Sequence, residues 1–179
     1  MIKDIYLAGG CFWGLEQYLR QIRGVVATEV GYANGHPARG SQTVSQPDYQ
    51  TVCQGRLGFA ETVHVSYDDR QLTLARLLEL YLQAIDPWAI NQQGPDCGIQ
   101  YRTGIYYQDQ AAQAQAQALL DTLARTSGRT PAVGCQPLLN YFAAEPYHQR
   151  YLEKNPDGYC HISPQLMAAA SQANPEQNV

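Results

Sequence analysis

The stretch Gly9-Gly10-Cys11-Phe12-Trp13-Gly14 has the most chemical potential in this 179-residue chain. A thiol stands between glycines where a strand-like segment, Ile2 to Ala8, gives way to apolar residues at helical spacing, Leu15, Tyr18, Leu19 and Ile22. At such a junction free amide N–H groups and the positive end of the helix dipole favour thiolate, lowering a thiol pKa from about 8.5 to roughly 3.5–7.5. Cys11 is therefore a candidate nucleophile at neutral pH. Phe12 and Trp13 offer an aromatic wall suited to a methyl or thioether group. The competing reading is a core junction that packs a small thiol and two rings. Flanking glycines, which leave backbone room for a ligand, speak against it.

Glu61 is the second candidate. In the run Glu61 to Tyr67, strict alternation puts it on one face with Val63, Val65 and Tyr67, and puts Thr62, His64 and Ser66 on the other. A carboxyl on an apolar face is desolvated, which raises its pKa and keeps it protonated, as a general acid must be. The alternative is a carboxylate at the strand end that turns to solvent. Tyrosine is plentiful, 13 residues, and a phenol can hold a polar oxygen without charge. Tyr49 and Tyr101 each follow a long loop, although periodicity alone does not select them.

These residues need a frame. Val25 to Tyr32 is rich in β-branched residues and reads as a strand, followed by a loop over Ala33 to Pro47, and Glu61 to Tyr67 is a half-buried strand. Leu74, Leu77, Leu78, Tyr81 and Ile85 mark a helix that Asp86-Pro87 stops. After a loop over Trp88 to Gln100, Tyr101 to Tyr107 reads as a strand and Asp109 to Arg125 as a helix closed by Ser127-Gly128. Pro131 to Leu139 completes the strands, Glu145 to Lys154 reads as a short helix, and the remainder lacks periodicity. Strands and helices that alternate in this way predict an α/β sandwich with a mixed sheet, in one domain.

Composition excludes several classes. The net charge is −4 and no dense Lys/Arg block occurs, so neither nucleic acid nor an anionic membrane is an expected partner. No apolar run approaches the roughly 18 residues of a membrane helix, and the first residues lack the pattern of a secretion signal, so a cytoplasmic, monomeric protein is expected. The five cysteines, Cys11, Cys53, Cys97, Cys135 and Cys160, contain no CxxC pair, which argues against a disulfide framework or a metal site. Cys53 and Cys135 are expected to pack inside.

The motif Gly10-Cys11-Phe12-Trp13-Gly14 resembles the signature of the type A peptide methionine sulfoxide reductases. Further segments follow in that family's order: Gly31-Tyr32-Ala33, Tyr49-Gln50-Thr51-Val52-Cys53, Ala60-Glu61, Val65-Ser66-Tyr67-Asp68, Asp86-Pro87, Gly98-Ile99-Gln100-Tyr101-Arg102 and Lys154-Asn155-Pro156-Asp157-Gly158-Tyr159-Cys160. The resemblance implies an α+β fold, a two-layer sandwich of the alpha-beta plait (ferredoxin-like) kind, spanning residues 1–179 with an irregular tail from about residue 156. It implies that Cys11 attacks the sulfur of methionine S-sulfoxide, free or in proteins, while Glu61 protonates the departing oxygen. Tyr49 and Tyr101 would hold that oxygen, Phe12 and Trp13 the S-methyl group, and Asp96 would order the site. Cys11 becomes a sulfenic acid. Cys160, on a mobile tail, would then form a disulfide with Cys11 that thioredoxin, or dithiothreitol in vitro, reduces; no bound cofactor or metal is implied.

The chain departs from the pattern at Phe59, where many members carry His, and at Cys97, an extra thiol after Asp96. No cysteine follows Cys160. Two other classes compete: a cysteine hydrolase in which His64, His148 or His161 activates Cys11, and a binding module that merely holds thioethers.

Overall fold

The computed structural model describes residues 1–175, so the last part of the expected tail lies outside the described residues. The elements run β1 (Ile2–Ala8), α1 (Phe12–Leu19), β2 (Val25–Ala33), α2 (Tyr49–Cys53), β3 (Ala60–Asp68), α3 (Leu74–Ala84), β4 (Gln92–Gln93), β5 (Asp96–Cys97), β6 (Gly104–Tyr107), α4 (Gln110–Ser127), β7 (Gly134–Pro137), β8 (Tyr141–Ala143), α5 (Tyr151–Lys154) and α6 (Pro164–Ala170). Six strands form one sheet in the order β7-β6-β1-β3-β2-β8. Only the β6–β7 pair is parallel, so the sheet is mixed and the fold is α+β.

One face of the sheet carries the main core. Ile5, Leu7, Val30, Val63, Val65 and Ile105 project from the strands onto Leu15 and Leu19 of α1, Leu77 and Tyr81 of α3 and Ala116 of α4. The helices thus form a single second layer. On the opposite face Tyr6, Ala8, Ala33, Ala60 and Tyr106 make a smaller cluster. The caps follow the sequence: Thr73 and Asp109 accept bonds from the first-turn amides of α3 and α4, and Gly128 ends α4 in the left-handed region, φ 69°.

Register decides where the chemistry lies. Ala8 pairs with Thr62, so Glu61 stands one step further along β3, beside the glycine turn that leads β1 into α1. The same strand end is locked from the helix layer. The fully buried Tyr81 donates its hydroxyl proton to the Ala8 carbonyl (2.6 Å) and accepts from the Gly104 amide (3.2 Å).

Several expectations change. The strand expected from Tyr101 begins at Gly104, because residues 99–101 form a 3-10 turn. The loop before it holds the β4–β5 hairpin, fastened by the Gln93 side chain to both backbone groups of Asp86 (2.8 Å each). The tail is not wholly irregular: Ser163 caps α6, which lays Ala170 and the preceding Ile162 into the core beside α1. Glu145 to Lys154 is not one helix, since a 3-10 turn at Pro146–His148 and α5 are separated by Arg150 at φ 51°. Side-chain bonds replace helical ones there: Gln149 brackets the Val30 backbone (2.8 and 2.9 Å), and Glu16 takes the Arg150 amide (3.0 Å).

Tyr81→Phe is expected to cost about 1–3 kcal/mol, since the Ala8 carbonyl then loses its buried donor. Urea unfolding reads the loss, and an unchanged midpoint would show that the strand end finds another partner.

Candidate active site

Cys11 is the N-cap residue of α1 and 8 % exposed. Gly10 makes the turn before it at φ 76°, and its amide donates to the Tyr101 carbonyl (3.3 Å). The nucleophile turn and Tyr101 are therefore fixed to one another through the backbone. Behind the thiol lies Glu61, 1 % exposed, whose Oε2 accepts the Phe12 amide proton at 3.0 Å. Glu61 therefore faces inward rather than to solvent, with its carboxyl within electrostatic reach of the Cys11 thiol.

Burial raises the Glu61 carboxyl to about 8, against a partial pull downward by the Phe12 amide. At neutral pH it is protonated. Phe59, two residues before Glu61 and 1 % exposed, packs on Phe142 and Gly35.

Cys11 does not behave as its place at the helix N-terminus suggests. Burial pushes the thiol far above its ordinary value, and Glu61 adds to this once it ionises, although the Trp13 and Gly14 amides pull it down. Those amides face the sulfur without closing a capping hydrogen bond. The resting nucleophile is a neutral thiol.

Two phenols lie within electrostatic reach of Glu61. Tyr49 and Tyr101 are both half-buried, and burial raises both well above the ordinary tyrosine value, with the Glu61 charge adding to each. Both remain proton donors. Tyr49 opens α2, a helix absent from the sequence expectation, which Asp48 caps; its amide donates to Glu145 (3.2 Å). Glu145 also accepts from Tyr32 (2.8 Å), so one carboxylate braces the wall of the site.

Phe12 and Trp13 divide their work. Phe12 is 1 % exposed and packs into the core. Trp13 is partly exposed, stacks on Tyr151 at 3.7 Å and donates from Nε1 to His148 Nδ1 (2.9 Å). His148 is fully buried beneath Phe12, Trp13 and Tyr49. Because its Nδ1 accepts, it is a neutral ring with the proton on Nε2. His64 lies on the other face, stacked on Tyr6 (4.5 Å) and bonded to Asp4 (2.9 Å). Neither ring can serve Cys11 as a hydrolase base.

Asp96 sits in the β4–β5 hairpin, half-buried, and accepts from the Tyr159 hydroxyl at 2.8 Å. That bond ties the Cys160 segment to the β4–β5 hairpin. Cys160 is half-buried and lies against α1: a Cβ on Gly14 would stand 3.0 Å from its sulfur. Both cysteines are free thiols. Cys53, expected inside, is exposed; it follows Tyr49 by one turn on the same side of α2, where its thiol meets the Tyr49 hydroxyl. Cys135 is only half-buried, and Cys97 is exposed. Sequence reasoning missed Glu145, and it named His148 only as a base for the rival chemistry. Their clue is thin, since long-range bonds to single side chains leave no periodicity.

The sequence profile of the peptide methionine sulfoxide reductase family matches residues 3–178. Peptide methionine sulfoxide reductase MsrA of Lachnoclostridium phytofermentans is 49% identical over 173 residues, 97% of this chain and 100% of its own. Among solved structures, Mxr1 from Saccharomyces cerevisiae in reduced form superposes with a TM-score of 0.83 at 37% identity, over 90% of this chain and 91% of that one. Mxr1 in complex with Trx2 shares the fold at TM-score 0.56 and 24% identity, over 84% of each chain.

The raised Glu61 pKa makes a stability prediction. The folded state holds this proton more tightly than the unfolded chain, whose carboxyl titrates near 4.5, so stability falls as pH rises through about 8. Glu61→Gln removes that fall. Thermal unfolding of the variant and the parent should diverge in the variant's favour from about pH 5 to pH 9, and parallel curves would contradict the buried neutral acid.

Proposed function

The chain belongs to the peptide methionine sulfoxide reductase family, and from that premise we propose the residue path by which it reduces methionine sulfoxide to methionine. The observation that carries the path is the buried, protonated Glu61 bonded to the amide next to Cys11.

The sulfoxide oxygen of the S epimer enters between the Tyr49 and Tyr101 hydroxyls, with the S-methyl group against Trp13 and the edge of Phe12. Glu61 gives its proton to that oxygen while the Cys11 sulfur attacks the substrate sulfur. The thiol proton released by Cys11 returns to Glu61. The balance is closed: the S–S contact made by the attack gives way as the sulfoxide S–O bond breaks and the hydroxyl passes to the Cys11 sulfur, so methionine leaves reduced by two electrons and Cys11 becomes a sulfenic acid. A neutral resting thiol suits this exchange, because the proton the reaction needs is already stored in the site. It also leaves little thiolate exposed to stray oxidants.

Cys160 then attacks the sulfenic sulfur, water leaves, and a Cys11–Cys160 disulfide forms. Tyr159 and Asp96 deliver the segment, and Gly14 gives the second sulfur its place on α1. A thioredoxin, or dithiothreitol in vitro, reduces the disulfide by exchange. Support for that partner comes from the family and from Mxr1, which is known in complex with Trx2. No helix among the described residues is long and apolar enough to cross a membrane. A cytoplasmic monomer that repairs both protein-bound and free methionine S-sulfoxide is the setting we propose.

Anaerobic single-turnover assays with methionine S-sulfoxide test the path. Cys11→Ser should yield no methionine. Cys160→Ser should yield one equivalent and then stop with thioredoxin; sustained turnover would remove Cys160 from the cycle. Glu61→Ala should slow the first step by about a hundredfold or more, and Glu61→Gln by less, because an amide still donates a hydrogen bond. Equal rates for Glu61→Ala and the parent would eliminate the acid.

A further inference from the structure

The path above leaves idle the residue after Cys160. The His161 ring is packed under the nucleophile turn, and neither Nδ1 nor Nε2, both shielded from solvent, has a hydrogen-bond partner. Two orphaned nitrogens in one buried ring are costly, and such groups call for an explanation. Two glycines make the room: a Cβ on Gly10 would stand 2.9 Å from Nε2, and one on Gly14 would stand 3.3 Å from Nδ1. The Cys160 sulfur lies 3.0 Å from that same Gly14 position. The ring thus spans the glycines that bracket Cys11, and its Nδ1 and the Cys160 sulfur both border Gly14 of α1.

We propose that His161 is the base of the resolving step, taking the proton of the Cys160 thiol as that sulfur attacks the Cys11 sulfenic acid and passing it to the departing hydroxyl. The proposal rests on the assignment of Cys160 as the resolving thiol. The S–S bond forms, the S–O bond breaks, and the hydroxyl leaves as water with the Cys160 proton, so no outside oxidant or reductant enters.

Cys160 needs such a base. Its thiol donates to the Ile162 carbonyl (3.5 Å), and burial raises its pKa, so at neutral pH the attacking group is the weak nucleophile, the thiol. His161 is ready to accept, because burial lowers its pKa and keeps the ring neutral. The groups around it also suit an imidazolium. Asp96 faces the ring from the β4–β5 hairpin and, with the Gly9 carbonyl, favours the charged form, although neither closes a hydrogen bond in the resting state. Tyr159 binds that carboxylate, Cys160 borders the ring at Gly14, and Glu61 accepts the Phe12 amide on the far side of the turn.

The experiment compares, in one turnover of the reduced full-length protein, the rate of disulfide formation with the rate of the methionine burst. In His161→Gln the ratio of the two should fall about a hundredfold at neutral pH. The deficit should narrow at alkaline pH as Cys160 ionises unaided, and sulfenic acid should accumulate and be trapped by a 1,3-diketone. Added imidazole should restore part of the rate in His161→Ala, because the ring leaves a vacated slot between two glycines. A parental ratio in His161→Gln overturns the proposal, as does a deficit equal at every pH and unrelieved by imidazole, which marks mere packing. Cys160→Ser separates the two layers. Disulfide formation at the parental rate in that variant removes the resolving assignment and the base with it, whereas a Cys160-dependent disulfide formed at normal speed in His161→Gln removes only the base.

Discussion

The hydrogen bond from the Phe12 amide to Glu61, 3.0 Å long and shielded from water, joins the two elements whose meeting makes the site. One end belongs to the first turn of α1 and the other to β3. It can form only because β3 pairs with β1 in the register that puts Thr62 opposite Ala8. A slip of one residue would turn Glu61 to the other face of the sheet and leave the first amide of α1 without its acceptor. The Gly9-Gly10 turn, the Tyr81 lock on Ala8 and the β4–β5 hairpin all hold the chain where that bond is possible.

The same burial decides a competition that helix geometry alone misjudges. A charge at a helix N-terminus gains typically about 0.3–1 kcal/mol, and up to about 2 in favourable settings. Withdrawing a charge from water into a protein interior costs several kcal/mol. At Cys11, 8 % exposed, desolvation therefore outweighs the dipole. The resting pair is a thiol and a carboxylic acid. Each proton stays near the atom that will need it, and water is excluded from the reacting atoms.

Legibility in the sequence followed periodicity. β1 and the face of Glu61 were read correctly, because alternation and a glycine turn are local signals, and the ordered motifs pointed to the family. The start of β6 and the exposure of Cys53 were misread, because the 3-10 turn at 99–101 and α2 are too short to show a period. The braces of the site were invisible for a different reason. Gln93 on Asp86, Gln149 on Val30, Glu145 on Tyr32 and Tyr49, and Glu16 on Arg150 are single polar side chains that meet distant backbone or hydroxyl groups. Nothing in their own neighbourhood marks them.

The C-terminal segment shows how order and movement divide the work. It is anchored at both ends: Tyr159 is bonded to Asp96, and Ile162 and Ala170 are sunk in the core. Only the short piece between the anchors carries the second thiol. To form a disulfide, Cα atoms must come within about 4.4–6.8 Å, so Cys160 has to leave its bond to the Ile162 carbonyl and slide along α1 towards the helix start. Two features make that slide inexpensive. Gly14 presents no side chain in its way, and on its outer side Cys160 borders a cavity of about 310 Å³ lined by Leu152, Ile162 and Met167. For the proposed Cys11–Cys160 disulfide, a segment tethered at both ends calls for a shift of that short piece rather than a swing of the whole tail.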